Sequence, residues 1–344
     1  MATPSDNSGT TVLVTGGSGF VGSWVVHQLL QQGYTVRTTV RSLSREEAVR
    51  SWVIDSSTPN ARLTFHAADL EKDEGWAEAC AGSDYVLHVA SPFPATQPKN
   101  PDDLIRPARD GTLRALRFAK AAGVRRVVVT SSFAAIGYGH ENHDKPFDET
   151  VWTNADSPTV SAYARSKTIA EKCAWDWLAK EGGSLELATI NPVGIFGPSL
   201  GFADKKNIVT SLEIIRRVAV GGLPAAPKIA FGAVDVRDVA QLHILAMTSP
   251  QAAGERYLAV SDDGKFISLQ DVGGALGKTI RTLPDWVVRF GALFSAELKG
   301  LTGELGHSKT STNLKAREAF GHTFISWKES VQASEKSLKD LAVI

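Results

Sequence analysis

A short β-branched run, Thr11-Val12-Leu13-Val14-Thr15, passes directly into Gly16-Gly17-Ser18-Gly19-Phe20-Val21-Gly22, and an apolar helical pattern follows from Phe20 to Gln32. Few features restrict a fold as much. Glycines at this spacing permit a tight turn at Gly16, close approach of backbone to ligand at Gly19 and close packing of the helix at Gly22. The strand before and the helix after supply the context without which such spacing says little. The start of the helix offers unpaired N–H groups and a partial positive charge, the arrangement that receives a phosphate. Gly16, Ser18, Gly19, Phe20, Val21 and Gly22 are therefore candidate contacts for the pyrophosphate of a dinucleotide.

The alternation of short apolar runs with helical stretches continues. Strands are predicted at Tyr34 to Arg41, Arg62 to Ala67, Asp84 to Val89, Arg125 to Ser131, Ser184 to Asn191 and Arg256 to Ala259, with helices over Leu104 to Ala122, Ala162 to Lys180 and Asn207 to Val220. Strand–helix–strand order requires crossover connections and so a parallel sheet covered on both faces. The expected class is α/β, a Rossmann doubly wound parallel sheet with a smaller, mostly helical substrate lobe. The sheet domain is placed at residues 10–191, with a returning segment at about 233–261. Residues 192–232 and 262–344 are assigned to the lobe, because glycine, proline and aromatic residues crowd there.

Bulk properties exclude several partners. Lysine plus arginine (37) equals aspartate plus glutamate (37), so no net field draws in nucleic acid or an anionic membrane. The 344 residues contain no apolar stretch of membrane-spanning length, and the polar N-terminus lacks the pattern of a secretory signal. Two cysteines, Cys80 and Cys173, make neither a disulfide framework nor a zinc ribbon. A cytoplasmic protein acting on a small molecule, as a monomer or homodimer and without a metal, is expected.

The second strand ends in Arg41 and Ser42, where an NAD site usually places a carboxylate for the ribose hydroxyls. A guanidinium instead suits a 2′-phosphate, which it binds by charge-assisted hydrogen bonds. Arg41, with Arg45 assisting, thus points to NADP+ and NADPH. In an open α/β sheet ligands lie at the carboxyl ends of the strands. Asp69 and Leu70 are accordingly expected at the adenine, and Val89, Ala90, Ser91 and Thr130 along the rest of the cofactor.

Tyr163 and Lys167 stand four apart in a predicted helix and so share a face. An ammonium there is expected to lower the phenol pKa toward neutrality and to reach the nicotinamide ribose, while the phenol exchanges a proton with an alcohol or carbonyl. Ser132, at the end of the fifth strand, is the expected hydrogen-bond partner of the substrate oxygen, with Ser131 as the alternative.

These elements carry a resemblance. Gly16, Gly19 and Gly22 with Ser132, Tyr163 and Lys167 resemble the motifs of the extended short-chain dehydrogenase/reductase superfamily over nearly the whole chain. The runs Tyr34 to Arg41 and Asn191 to Pro198 are similar to those of the dihydroflavonol 4-reductase-like and aldehyde/ketone reductase subgroup. The resemblance implies a doubly wound fold, hydride transfer from the B-face of a nicotinamide, tyrosine as proton donor, and Pro192, Val193 and Ile195 beside the nicotinamide. Two departures stand out. Ser42 occupies a position often held by Asp, and Gly137 stands where plant flavonoid reductases carry an Asn for ring hydroxyls.

Phe93, Phe133, Phe196, Phe202 and Trp286 are expected, with Ser132, to wall a pocket for a hydrophobic or aromatic carbonyl compound. His140 and His143 lack the partners of a zinc site and read as an exposed loop, His88 and His243 as core histidines, and Asp235 as a helix cap. Two other functions remain open. A nucleotide-sugar epimerase or dehydratase would hold NAD tightly and use Arg216, Arg217 and Lys228 on a diphosphate. A non-catalytic NADP-sensing protein would keep the nucleotide site alone.

Overall fold

Val12 and Val14 face one way and Leu13 the other, and all three are fully buried. A strand apolar on both faces belongs in the middle of a covered sheet. In the computed structural model, which describes residues 7–58, 60–92, 100–140, 143–202, 208–262, 264–291, 305 and 309–344, that strand, β1 (Thr11–Thr15), is central. It is followed by α1 (Phe20–Gln31), β2 (Thr35–Val40), α2 (Glu46–Val53), β3 (Arg62–Ala67), α3 (Trp76–Cys80), β4 (Tyr85–His88), α4 (Asp102–Ala121), β5 (Arg126–Thr130), α5 (Ala162–Glu181) and β6 (Glu186–Pro192). Further along come β7 (Gly194–Phe196), α6 (Thr210–Ala219), β8 (Ala225–Pro227), β9 (Ala230–Phe231), β10 (Ala233–Asp235), α7 (Val236–Thr248) and β11 (Arg256–Ala259).

Seven strands form one parallel sheet in the order β11-β6-β5-β4-β1-β2-β3. The chain reverses direction of travel between β1 and β4, where Val12 pairs with Tyr85 on one side and Val36 on the other. A crevice opens at such a switch point. One face packs Val12 and Val14 against Val25, Val26 and Leu29 of α1 and Leu242 and Ala246 of α7. The opposite face packs Leu13, Val127 and Leu187 against Trp76, Leu116 and Ala174.

Each predicted sheet strand is found, with ends within two residues of expectation. Gly33 ends α1 with a left-handed φ of +83°, and the Asp235 carboxylate caps α7 by accepting from the Arg237 N–H at 2.9 Å. The remaining elements pair in three small sheets: β7 with β10, β9 with β12 (Ile267–Ser268), and β8 with β13 (Arg281–Leu283). The helices α6, α8 (Leu269–Ala275) and the C-terminal helix Trp327–Asp340 pack on them around Phe196, Leu212, Ile215, Val272 and Val331. Strands of two or three residues are too short to show a period of two, so the expectation of helices alone left them out.

Candidate active site

The glycine loop is built from backbone contacts. Gly16 has φ of +75°, and a Cβ on Gly22 would lie 2.2 Å from the Gly16 carbonyl oxygen. Gly22 therefore lets the first helical turn press onto the loop itself. The N–H of Gly16 donates to Thr39 Oγ1 at 3.0 Å and that of Gly17 to the Thr39 carbonyl at 3.1 Å, pinning the loop to β2. Helix α1 starts without a side-chain cap and without an acidic residue in its first turn. Its positive end is thus uncompensated, as an anion-binding end should be.

A cleft of about 950 Å³ runs from this loop across the switch point, within the size range of small-molecule sites. Gly16, Ser18, Gly19, Phe20, Val21 and Gly22 line it, as do Arg41, Arg45, Asp69, Leu70, Val89, Ala90, Ser91, Thr130, Val193 and Ile195. Ser42 caps a single 3-10 turn, Leu43–Arg45, accepting from the Ser44 N–H at 3.4 Å, and this turn brings Arg45 back to the same rim as Arg41. Both guanidiniums are exposed. Arg37, by contrast, is engaged elsewhere, donating to the Ala79 and Glu78 carbonyls. The glycine cradle, the acid-free helix start and the two rim arginines fit a dinucleotide with an additional phosphate. Pro192 is buried in β6, paired with Ala259, and is not among the residues lining the cleft, whereas the adjoining Val193 is.

The other end of the cleft holds Ser132 and Tyr163. Ser161 starts α5 by accepting from the Ala164 N–H at 3.2 Å, which sets Tyr163 in the first helical turn and Lys167 one turn on. Ser132 ends the loop after β5 and accepts from the Ala134 N–H at 3.1 Å. The Ser132 hydroxyl stands beside the Tyr163 phenol. Burial pushes the Tyr163 phenol above its ordinary value, and the neighbouring Ser132 hydroxyl pulls against that rise. This departs from the expected lowering. The Lys167 ammonium is not on the phenol; it donates to Ser91 Oγ at 2.9 Å, and burial brings its pKa down to about 8.

The strand ends are held by buried polar pairs. Thr15 Oγ1 accepts from the Ala90 N–H and lies 3.0 Å from His88 Nδ1, while Thr130 Oγ1 lies 2.7 Å from His243 Nε2. Both imidazoles are buried, with pKa values pushed down to about 3 and about 4, so they are neutral struts, as the core reading expected.

Of the expected wall, Phe133 and Phe196 line the cleft, and Phe93 falls outside the described residues. Phe202 packs on the small-sheet cluster and Trp286 is 71% exposed; neither is among the residues lining the cleft. Tyr138, Phe231 and Phe266 take their place. Phe133 meets Tyr138, Phe147 and Phe266 edge-on, with ring centroids 5.3–5.9 Å apart. No spacing rule joins residues so far apart in sequence; only Gly137 carried a signal, since a Cβ there would fall 2.1 Å from the Phe133 ring. His140 is exposed in a loop, as expected, and His143 is half-buried; both rings meet Phe147, His143 stacking on it at 4.0 Å. Among the described residues no group of His, Cys, Asp and Glu could hold a metal ion, and no helix is long and apolar enough to cross a membrane.

Three similarities bear on this site. Cinnamoyl-CoA reductase CAD2 of Medicago truncatula is 36% identical over 259 residues, covering 74% of this chain and 77% of its own. The putative NADPH-dependent methylglyoxal reductase GRP2 of Candida albicans is 31% identical over 347 residues, covering 95% and 98%. The crystal structure of the yeast methylglyoxal/isovaleraldehyde reductase Gre2 with NADPH matches with a TM-score of 0.75 at 27% identity, over 97% of this chain and all of that one. The family model covers residues 12–259, from the strand that feeds the glycine loop to the last strand of the sheet, and the chain belongs to the NAD dependent epimerase/dehydratase family.

Proposed function

We propose that the chain is an NADPH-dependent reductase of hydrophobic or aromatic carbonyl compounds, with Tyr163 as proton donor. The observation that carries this reading is the juxtaposition of the Ser132 and Tyr163 side chains inside a cleft whose other end is a phosphate cradle. NADPH, when bound, supplies the hydride. Gly16 to Gly22 would hold its pyrophosphate, Arg41 and Arg45 its 2′-phosphate, and Val193 and Ile195 its nicotinamide end.

Every other task falls to the protein. A carbonyl oxygen entering between Ser132 and Tyr163 accepts a hydrogen bond from each hydroxyl. Those donors stabilise the negative charge that grows on the oxygen as the carbonyl is reduced. Tyr163 then gives up its proton, and its raised pKa keeps that proton in place at neutral pH. Lys167 is placed to hold the cofactor ribose in exchange for Ser91, and its charge favours the phenolate left behind. Phe133, Tyr138, Phe231 and Phe266 keep water away from the reacting carbon and favour an apolar substrate. The names of the relatives, reductases of methylglyoxal and of cinnamoyl-CoA, agree with carbonyl reduction.

An epimerase reading needs basic residues free to clamp a diphosphate. Arg216 is instead held by both its Nε and NH2 on Glu213, at 2.7 and 2.8 Å. The test is a panel of isovaleraldehyde, methylglyoxal, benzaldehyde and cinnamaldehyde, assayed with NADPH and with NADH by loss of absorbance at the reduced nicotinamide band. Turnover with NADPH above that with NADH supports the reading; no turnover on any carbonyl with either cofactor overturns it.

A further inference from the structure

Glu171 is a carboxylate with 2% exposure in the middle of α5, and the proton transfer proposed above does not use it. A buried charge is costly unless it is paired and fully hydrogen-bonded. Glu171 is both. Its Oε1 accepts from Arg256 Nε at 2.6 Å, Thr189 Oγ1 at 3.1 Å and Trp175 Nε1 at 3.4 Å. Its Oε2 accepts from Asn191 Nδ2 at 2.8 Å and from the Ser131 hydroxyl.

Two of these donors lead to Ser132. Ser131 precedes it in the chain, and Asn191 Nδ2 also reaches the Ser132 carbonyl at 3.3 Å. Arg256 has other partners, since its guanidinium stacks on Trp152 at 3.6 Å and donates to the Glu149 and Val151 carbonyls. An ion pair for the sake of Arg256 therefore leaves the Ser131 and Asn191 bonds unexplained. Positions 163, 167 and 171 recur every fourth residue and share one helix face. A small cavity lined by His88, Ser91, Ser131, Lys167 and Glu171, about 20 Å³ and so the room of one water, lies between Lys167 and Glu171.

We propose that Glu171 is a positioning residue for the carbonyl reduction: its charge keeps Lys167 an ammonium, and its Oε2 fixes, through Ser131 and Asn191, the backbone that presents Ser132. This rests on the roles assigned above to Tyr163, Lys167 and Ser132. The groups facing Lys167 are Tyr163 and Glu171 on its own helix, His88 on β4 and Ser91 beyond it, with Arg256 of β11 behind Glu171. His88 is neutral, and Glu171, although paired with Arg256, is the anion that opposes the desolvation of Lys167.

The test follows the ¹³Cε resonance of Lys167 through a pH titration of the full-length protein labelled with [¹³C]lysine, without nucleotide, assigned by its loss in Lys167→Arg. Glu171→Gln is expected to lower the midpoint by roughly one pH unit or more, the scale of a close opposite charge. The alkaline limb of kcat/KM for NADPH-linked reduction of the best aldehyde in the panel should fall with it. Glu171→Asp keeps the charge but withdraws it from Ser131 and Asn191; it should leave the midpoint in place and reduce kcat at least tenfold. An unmoved midpoint in a folded Gln variant overturns the electrostatic half, and wild-type kcat in the Asp variant overturns the geometric half. Should the Gln variant fail to fold, a shifted midpoint in the Asp variant overturns the first half instead. Failure of the reductase reading is seen separately, as no turnover of any carbonyl in the panel by the wild-type protein.

Discussion

Lys167 donates a 2.9 Å hydrogen bond to Ser91, joining the second turn of α5 to the loop that follows β4. That bond ties the two elements between which a nicotinamide ribose would rest, and it is made by an amine that burial has brought down to about 8 from its usual 10.5.

The depressed pKa fixes a sign for stability. Between pH 8 and 10.5 the unfolded chain holds the Lys167 proton more tightly than the folded one, so this site's contribution to stability rises with pH over that window. Lys167→Met removes the titration. Its melting temperature relative to wild type should therefore fall as the pH is raised from about 7 to about 10. A gap that stays constant, or widens in the variant's favour, is the opposite result.

Gly22→Ala tests the cradle. The added Cβ would meet the Gly16 carbonyl oxygen at 2.2 Å, a backbone atom with little room to yield. Overpacking of this kind costs about 1–3 kcal/mol. A lowered melting temperature and at least tenfold weaker NADPH binding, read by nucleotide fluorescence, are expected together.

Arg41→Ala separates the two nicotinamide cofactors. A hydrogen bond to a charged group contributes about 1.5–3 kcal/mol, or about a tenfold to hundredfold change in Kd. NADPH binding should weaken by that factor while NADH binding stays nearly constant, because only NADPH carries the 2′-phosphate. Equal loss for both would place Arg41 outside the phosphate site.

Legibility of the sequence followed the range of the interactions. The strand–loop–helix at Thr11 to Gln31 was readable because a tight turn, a helix start and a buried strand are all local devices. Arg41, Asp69 and Ser91 could be placed because parallel strands end on one edge of the sheet. Phe231 and Phe266 could not, since they reach the cleft wall only through long-range packing, Phe231 on Phe196 and Phe266 on Phe133. Trp286 offered no clearer signal: an aromatic residue in an irregular stretch does not declare whether it covers a cleft or faces solvent, and this one is exposed. The opposite shift of Tyr163 arose from burial, which the spacing to Lys167 does not report.

The measurement that bears most directly on the account is steady-state NADPH oxidation by wild type and Tyr163→Phe on the same aldehyde. Loss of the proton donor should lower kcat by about 10²- to 10⁴-fold, the usual weight of general acid catalysis, with NADPH affinity retained. A phenylalanine variant that turns over at the wild-type rate would contradict the assignment of Tyr163 and, with it, the chemistry proposed for the cleft.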